Sequence, residues 1–122
     1  MLFVRLDVAE IHHASGQPLG VFHAVRYLRD EGALTAAELR AANRVFAWMD
    51  RLEAPDESVL ASHPEAVSWF RKEATEYIRQ AERLSTILDA HGQSVTRREV
   101  EDPGPIVYED SVQVLALSRL VP

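Results

Sequence analysis

The chain has 122 residues, of which 47% are hydrophobic and 26% charged, ordinary values for one globular domain. It contains no cysteine, which excludes disulfides, thiolate metal sites and cysteine nucleophiles. The formal net charge of −6 opposes nucleic-acid binding, which needs basic surface, and no apolar run approaches the roughly 20 residues that cross a bilayer. A single cytoplasmic domain is expected, with no nucleic-acid or membrane partner.

The first element is a strand. Leu2, Val4, Leu6 and Val8 alternate with Phe3, Arg5 and Asp7, the period of two of a half-buried strand. Charges at Arg5 and Asp7 break the uncharged stretch that a signal peptide would need. The strand ends near Glu10-Ile11, and residues 12–18 read as a loop punctuated by Gly16 and Pro18.

A first helix is expected from about Leu19 to Glu31, with Val21, Ala24, Val25 and Leu28 on one face and Gly32 just past its end. A second follows the capping box Thr35-Ala36-Ala37-Glu38, with Leu39, Ala42, Val45, Phe46, Met49 and Leu52 as its stripe. A third is expected from the box Ser62-His63-Pro64-Glu65 to His91-Gly92. Val67, Phe70, Ala74, Tyr77, Ile78, Ala81, Leu84 and Leu88 fit a 3.6-residue period along it. Such a helix would be about 40 Å long at 1.5 Å per residue, long enough to project from the domain and pair with a second copy.

The last third changes period. Val95–Val100 reads as a strand, Asp102-Pro103-Gly104-Pro105 as a turn, and Ile106–Tyr108 with Val112–Leu117 as a hairpin. Together these elements give an α+β, two-layer fold. It has a four-stranded, mostly antiparallel sheet with three helices on one face, in the order β-α-α-α-β-β-β.

Three groups of residues could carry function. Glu10, His12, His13 and His23 pair imidazoles with a carboxylate, which can bind a divalent metal or move protons, although their spacing matches no standard ligand motif. Tyr108, Glu109 and Asp110 place two carboxylates at the hairpin tip, where ordinary turn chemistry also accounts for them. Trp69, Arg71, Lys72 and Tyr77 are residue types that anchor interfaces. No serine lies in a nucleophile elbow and no glycine loop is built to cradle phosphate.

Trp69-Phe70-Arg71-Lys72, His91-Gly92, and Pro103 to Asp110 followed by Gln113-Val114 resemble a family of small uncharacterised bacterial proteins over roughly the last 60 residues. Arg71 stands where that family carries lysine. The resemblance implies a bacterial origin and no activity.

The expectation is therefore a non-catalytic binding or regulatory domain, acting through a protein partner or as a homodimer. The alternative is a small metal-dependent or acid–base enzyme using the His/Glu cluster, with a divalent metal as its only candidate cofactor.

Overall fold

The computed structural model describes residues 1–11, 16–52, 55 and 57–117. The fold is α+β with a mostly antiparallel sheet, as expected. Among the described residues the sheet has six strands rather than four, and there are four helices rather than three. In chain order they are β1 (Phe3–Ile11), β2 (Pro18–Gly20), α1 (Val21–Asp30), α2 (Ala36–Met49) and α3 (Glu57–Ser62). Then come β3 (Val67–Arg71), α4 (Thr75–Ala90), β4 (Thr96–Val100), β5 (Ile106–Glu109) and β6 (Gln113–Ala116).

The long third helix does not form. Its first half is a turn and β3, its second half is α4, about 24 Å long at 1.5 Å per residue, and the short α3 ahead of it is a helix not expected from the sequence. Pro64 disfavours helical backbone at His63, so α3 stops at Ser62 rather than a new helix being capped there. Val67, Ser68, Trp69 and Phe70 then enter the sheet between β1 and β6. Val67 and Phe70 are both buried, on opposite faces of that strand. A central strand buried on both sides and a helix stripe place apolar residues at the same two positions, so periodicity alone does not separate them.

The other helices follow their local signals. The Thr35 hydroxyl accepts from the Glu38 N–H and the Glu38 carboxylate accepts from the Thr35 N–H, completing the capping box of α2. Gly32 and Gly92 have φ of 71° and 76° just beyond α1 and α4, a left-handed conformation that costs glycine nothing. Pro18 does not end a loop and the first helix does not start at Leu19: Pro18–Gly20 form β2, a short edge strand of the kind proline tolerates, and α1 begins at Val21.

Every pairing among the described strands is antiparallel. β1 is the hub. Phe3 pairs with Arg71 of β3 and Val100 of β4, and Asp7 pairs with Gly20 of β2 and Thr96 of β4. Since β4 occupies one side of β1, β2 and β3 must share the other side, end to end. The sheet continues from β3 to β6 and β5.

One face carries Val4, Leu6, Val8 and Phe70, which join Val21, Val25, Leu84 and Leu88 of the helices in the core. Leu84 and Leu88 are fully buried, and truncating either would cost about 2–5 kcal/mol. α4 is the centre of the helical layer, packing against α1, α2 and β1. The opposite face carries Phe3, Asp7, Val114 and Ala116, all buried, although no described helix packs there. The link at residues 101–105 accounts for this, because it carries the chain from β4 at one edge to β5 at the other. In a flat sheet those edges would be about 19 Å apart, even before their offset along the strands. Six Cα steps reach at most about 20 Å, and the Asp102 carboxylate turns the link back by accepting from the Gly104 N–H. The sheet therefore curls over its own second face.

Candidate functional site

The side-by-side placement of β2 and β3 leaves a notch along β1 at Arg5 and Leu6, where neither neighbour pairs. Arg5 fills it. Its Nη1 donates to the Ser68 carbonyl at 2.9 Å and its Nη2 to the Pro18 carbonyl at 2.8 Å, joining the ends of the two strands. Gly20 allows this, since a Cβ there would lie 3.3 Å from Arg5 Nη2. Behind Arg5, Asp7 is 1% exposed, with Arg5 Nε 3.6 Å away and Arg98 Nε at 2.8 Å. Burial lowers the Arg5 pKa from its ordinary value, Asp7 opposes that shift and Arg98 adds to it. Arg5 Nε and Asp7 Oδ1 are buried without a hydrogen-bond partner among the described residues.

Above the notch, on the helical face, lies a cavity of about 750 Å³. It exists because α1 and α2 both pack against α4, while α3 buries none of its residues. The sheet beyond α4 is thus left partly uncovered. The walls are apolar: Phe22 from α1, Phe46 and Met49 from α2, Leu60 from α3, and Phe70 and Leu115 from the sheet. Phe22 meets Phe70 edge-on, with centroids 6.1 Å apart, and Tyr77 sits against both Phe70 and Trp48. The floor holds a polar pair, the Ser68 hydroxyl donating to Gln113 Oε1 at 3.3 Å. At the mouth the guanidinium groups of Arg26 and Arg29 lie 5.1 and 5.2 Å from the centre of the Phe46 ring.

The residues singled out in the sequence are distributed differently. Glu10 is exposed on β1, His23 is exposed on α1 and borders the cavity, and His12 and His13 lie outside the described residues. Among the described residues no three His, Asp or Glu side chains are grouped to hold a metal.

Trp69, Arg71, Lys72 and Tyr77 do not share one helix surface. Trp69 is half-buried on β3, on the face away from the helices, whereas Tyr77 belongs to the aromatic cluster under α2. Lys72 lies past the end of β3, 3.5 Å from Glu99. Arg71 instead reaches the hairpin tip, its Nη2 3.0 Å from Glu109 and its Nε donating to the Asp110 carbonyl at 2.7 Å. The Asp110 carboxylate accepts from the Val112 and Gln113 N–H groups and from the Tyr108 hydroxyl. Burial alone would raise its pKa, but these donors outweigh burial and hold it below the ordinary value.

Arg5, Arg26, Ser68 and Gln113 carry no motif; strand pairing brings Arg5, Ser68 and Gln113 to one cavity, and the packing of α1 on the sheet brings Arg26. The lone signal for Arg5 in the sequence is a charge inside an apolar strand.

No family model matches the chain, and neither curated proteins nor solved structures gave a match. Among the described residues no helix is long and apolar enough to cross a membrane.

Proposed function

We propose that the chain is a non-catalytic binding domain that takes a small apolar ligand into the cavity between α1, α2, α3 and the sheet. The observation that carries this reading is the cavity itself. A space of about 750 Å³ falls within the roughly 300–1,000 Å³ of small-molecule sites. Its walls also match such sites, being aromatic and aliphatic with few polar groups.

Binding is favoured over catalysis because the polar groups at the floor already hold the sheet together. The Arg5 donors serve the Ser68 and Pro18 carbonyls, and the Ser68 hydroxyl serves Gln113. A helix of about 40 Å bearing Trp69 would point to a protein partner or a second copy of the chain. With that helix divided and Trp69 half-buried in the sheet, the cavity is the better-supported binding surface.

The test is fluorescence titration with the neutral apolar probe N-phenyl-1-naphthylamine. Saturable binding is expected, and Ala66→Phe, which adds a ring at the cavity wall, should weaken it by about tenfold, equivalent to about 1.4 kcal/mol. Thermal melting of the variant establishes that it is folded. No saturable binding to the wild-type chain would overturn the reading.

A further inference from the structure

If the cavity takes a ligand, as proposed above, its charge says which kind. The chain as a whole is acidic, with a net charge of −6. The cavity is the reverse: among the described residues it is bordered by Arg5, Arg26 and Arg29 against one carboxylate, Asp50.

These three arginines are not equivalent. Arg5 is committed to two backbone carbonyls and to Asp7. Arg29 shares its Nε with Asp30 at 3.4 Å. Arg26 has neither a carboxylate nor a carbonyl partner among the described residues, and its contact is with the Phe46 ring. One turn apart on α1, Arg26 and Arg29 lie on the same side of the helix. A cation held by the ring's π face at 5.1 Å does not use up its N–H donors, which can grip a carboxylate through two parallel hydrogen bonds. Phe46 therefore holds Arg26 at the mouth with its donors unspent, beside walls made by Phe22, Phe70 and Met49.

We infer that the ligand is an amphipathic carboxylate, an alkyl or aromatic body carrying one anionic group. Its body packs among Phe22, Phe46, Phe70 and Met49, and its carboxylate meets Arg26 at the rim, with Arg29 in support. A cation of the same shape is repelled by both arginines, and a neutral molecule gains only the apolar contact.

Displacement of N-phenyl-1-naphthylamine by decanoate, decanol and decyltrimethylammonium separates these cases. The wild-type chain is expected to prefer decanoate over decanol by about tenfold at low salt, with the preference shrinking as salt screens it. Decyltrimethylammonium should compete least. Arg26→Gln should bring decanoate to the level of decanol, with each displacement referred to the probe's own affinity for that variant. Arg26 is exposed, and a melting curve equal to wild type shows that the variant folds. Equal displacement by decanoate and decanol in the wild type would overturn the carboxylate assignment while leaving the cavity a ligand site. A preference that survives in the Arg26→Gln/Arg29→Gln double variant would overturn it as well. Failure of the probe itself to bind removes the cavity as a site and this inference with it.

Discussion

Arg98 Nε donates to Asp7 Oδ2 across 2.8 Å, and the two ends of this bond differ in surroundings, the arginine being 46% exposed and the aspartate 1%. The pair links β4 to the strand at the hub of the sheet. Asp7 also faces Arg5, the side chain that closes the notch between β2 and β3. Asp7 is thus the only carboxylate paired with the Arg5 guanidinium among the described residues.

That asymmetry ranks two substitutions. Asp7→Asn keeps the shape and removes the charge, leaving Arg5 buried without a counter-ion, which should cost about 3–5 kcal/mol. Arg98→Ala removes a half-exposed partner while Asp7 keeps Arg5, and should cost about 1 kcal/mol or less. Urea denaturation gives both numbers. Equal losses, or an Asp7→Asn chain as stable as wild type, would mean that the buried pair is not what holds the notch.

A second expectation concerns the start of α2. Thr35→Ala removes the hydroxyl that accepts from Glu38 N–H and should destabilise the chain by about 1 kcal/mol. The Glu38 carboxyl is held below its ordinary value of 4.5, first by the Thr35 N–H and then by His91, whose Nε2 is 3.0 Å away. The folded chain therefore takes up this proton less readily than the unfolded chain. The resulting stability is present above pH 4.5 and is lost as pH falls through the lower, folded value. Glu38→Gln should flatten that part of the acid limb in thermal melts, and an unchanged slope would exclude Glu38 as its source.

How much of this could be read from the chain depends on how local each signal is. Thr35 and Glu38 sit three residues apart and need only one another, so the box on α2 is visible in sequence. The alternation of Leu2 to Val8 marks β1, because its period survives whatever pairs with it. Val67 and Phe70 are different. Their burial is set by β1 and β6, more than 40 residues away in either direction, and their spacing suits a helix as well as a strand. The cavity is less legible still. Phe22 sits off the expected stripe of α1, Phe46 on that of α2 and Phe70 on that of a helix that does not form. Nothing local says that their rings face a common space.

The hairpin tip makes a third case. Asp110 accepts from two backbone N–H groups at 2.8 Å and fixes the turn between β5 and β6. Asp110→Ala should cost roughly 1–2 kcal/mol, while Asp110→Asn, which keeps an acceptor oxygen, should cost less. Because the carboxyl lies below its ordinary value of 3.8, the gap between wild type and Asp110→Asn should be full at neutral pH. It should close as pH falls below 3.8 and through the folded value, as the wild-type carboxyl takes up its proton. Melts of the two chains as pH is lowered measure the gap, and one that stays constant below that range would rule out the charge as its cause.

The last expectation couples Gly20 to Arg5. Gly20 has φ of −67° and ψ of 154°, backbone that any residue adopts, so alanine there meets no conformational strain. What it meets is Arg5, 3.3 Å from the new Cβ. Arg5 cannot swing aside freely, because both of its terminal nitrogens are bonded to carbonyls of different strands. Gly20→Ala should therefore cost about 1 kcal/mol through displacement of the guanidinium. In an Arg5→Met background the carbonyl bonds are already gone and the thioether yields readily, so the same alanine should cost almost nothing. A double-mutant cycle in urea reads the difference directly. If Gly20→Ala were equally costly in both backgrounds, the glycine would be needed for something other than the passage of Arg5 across the notch.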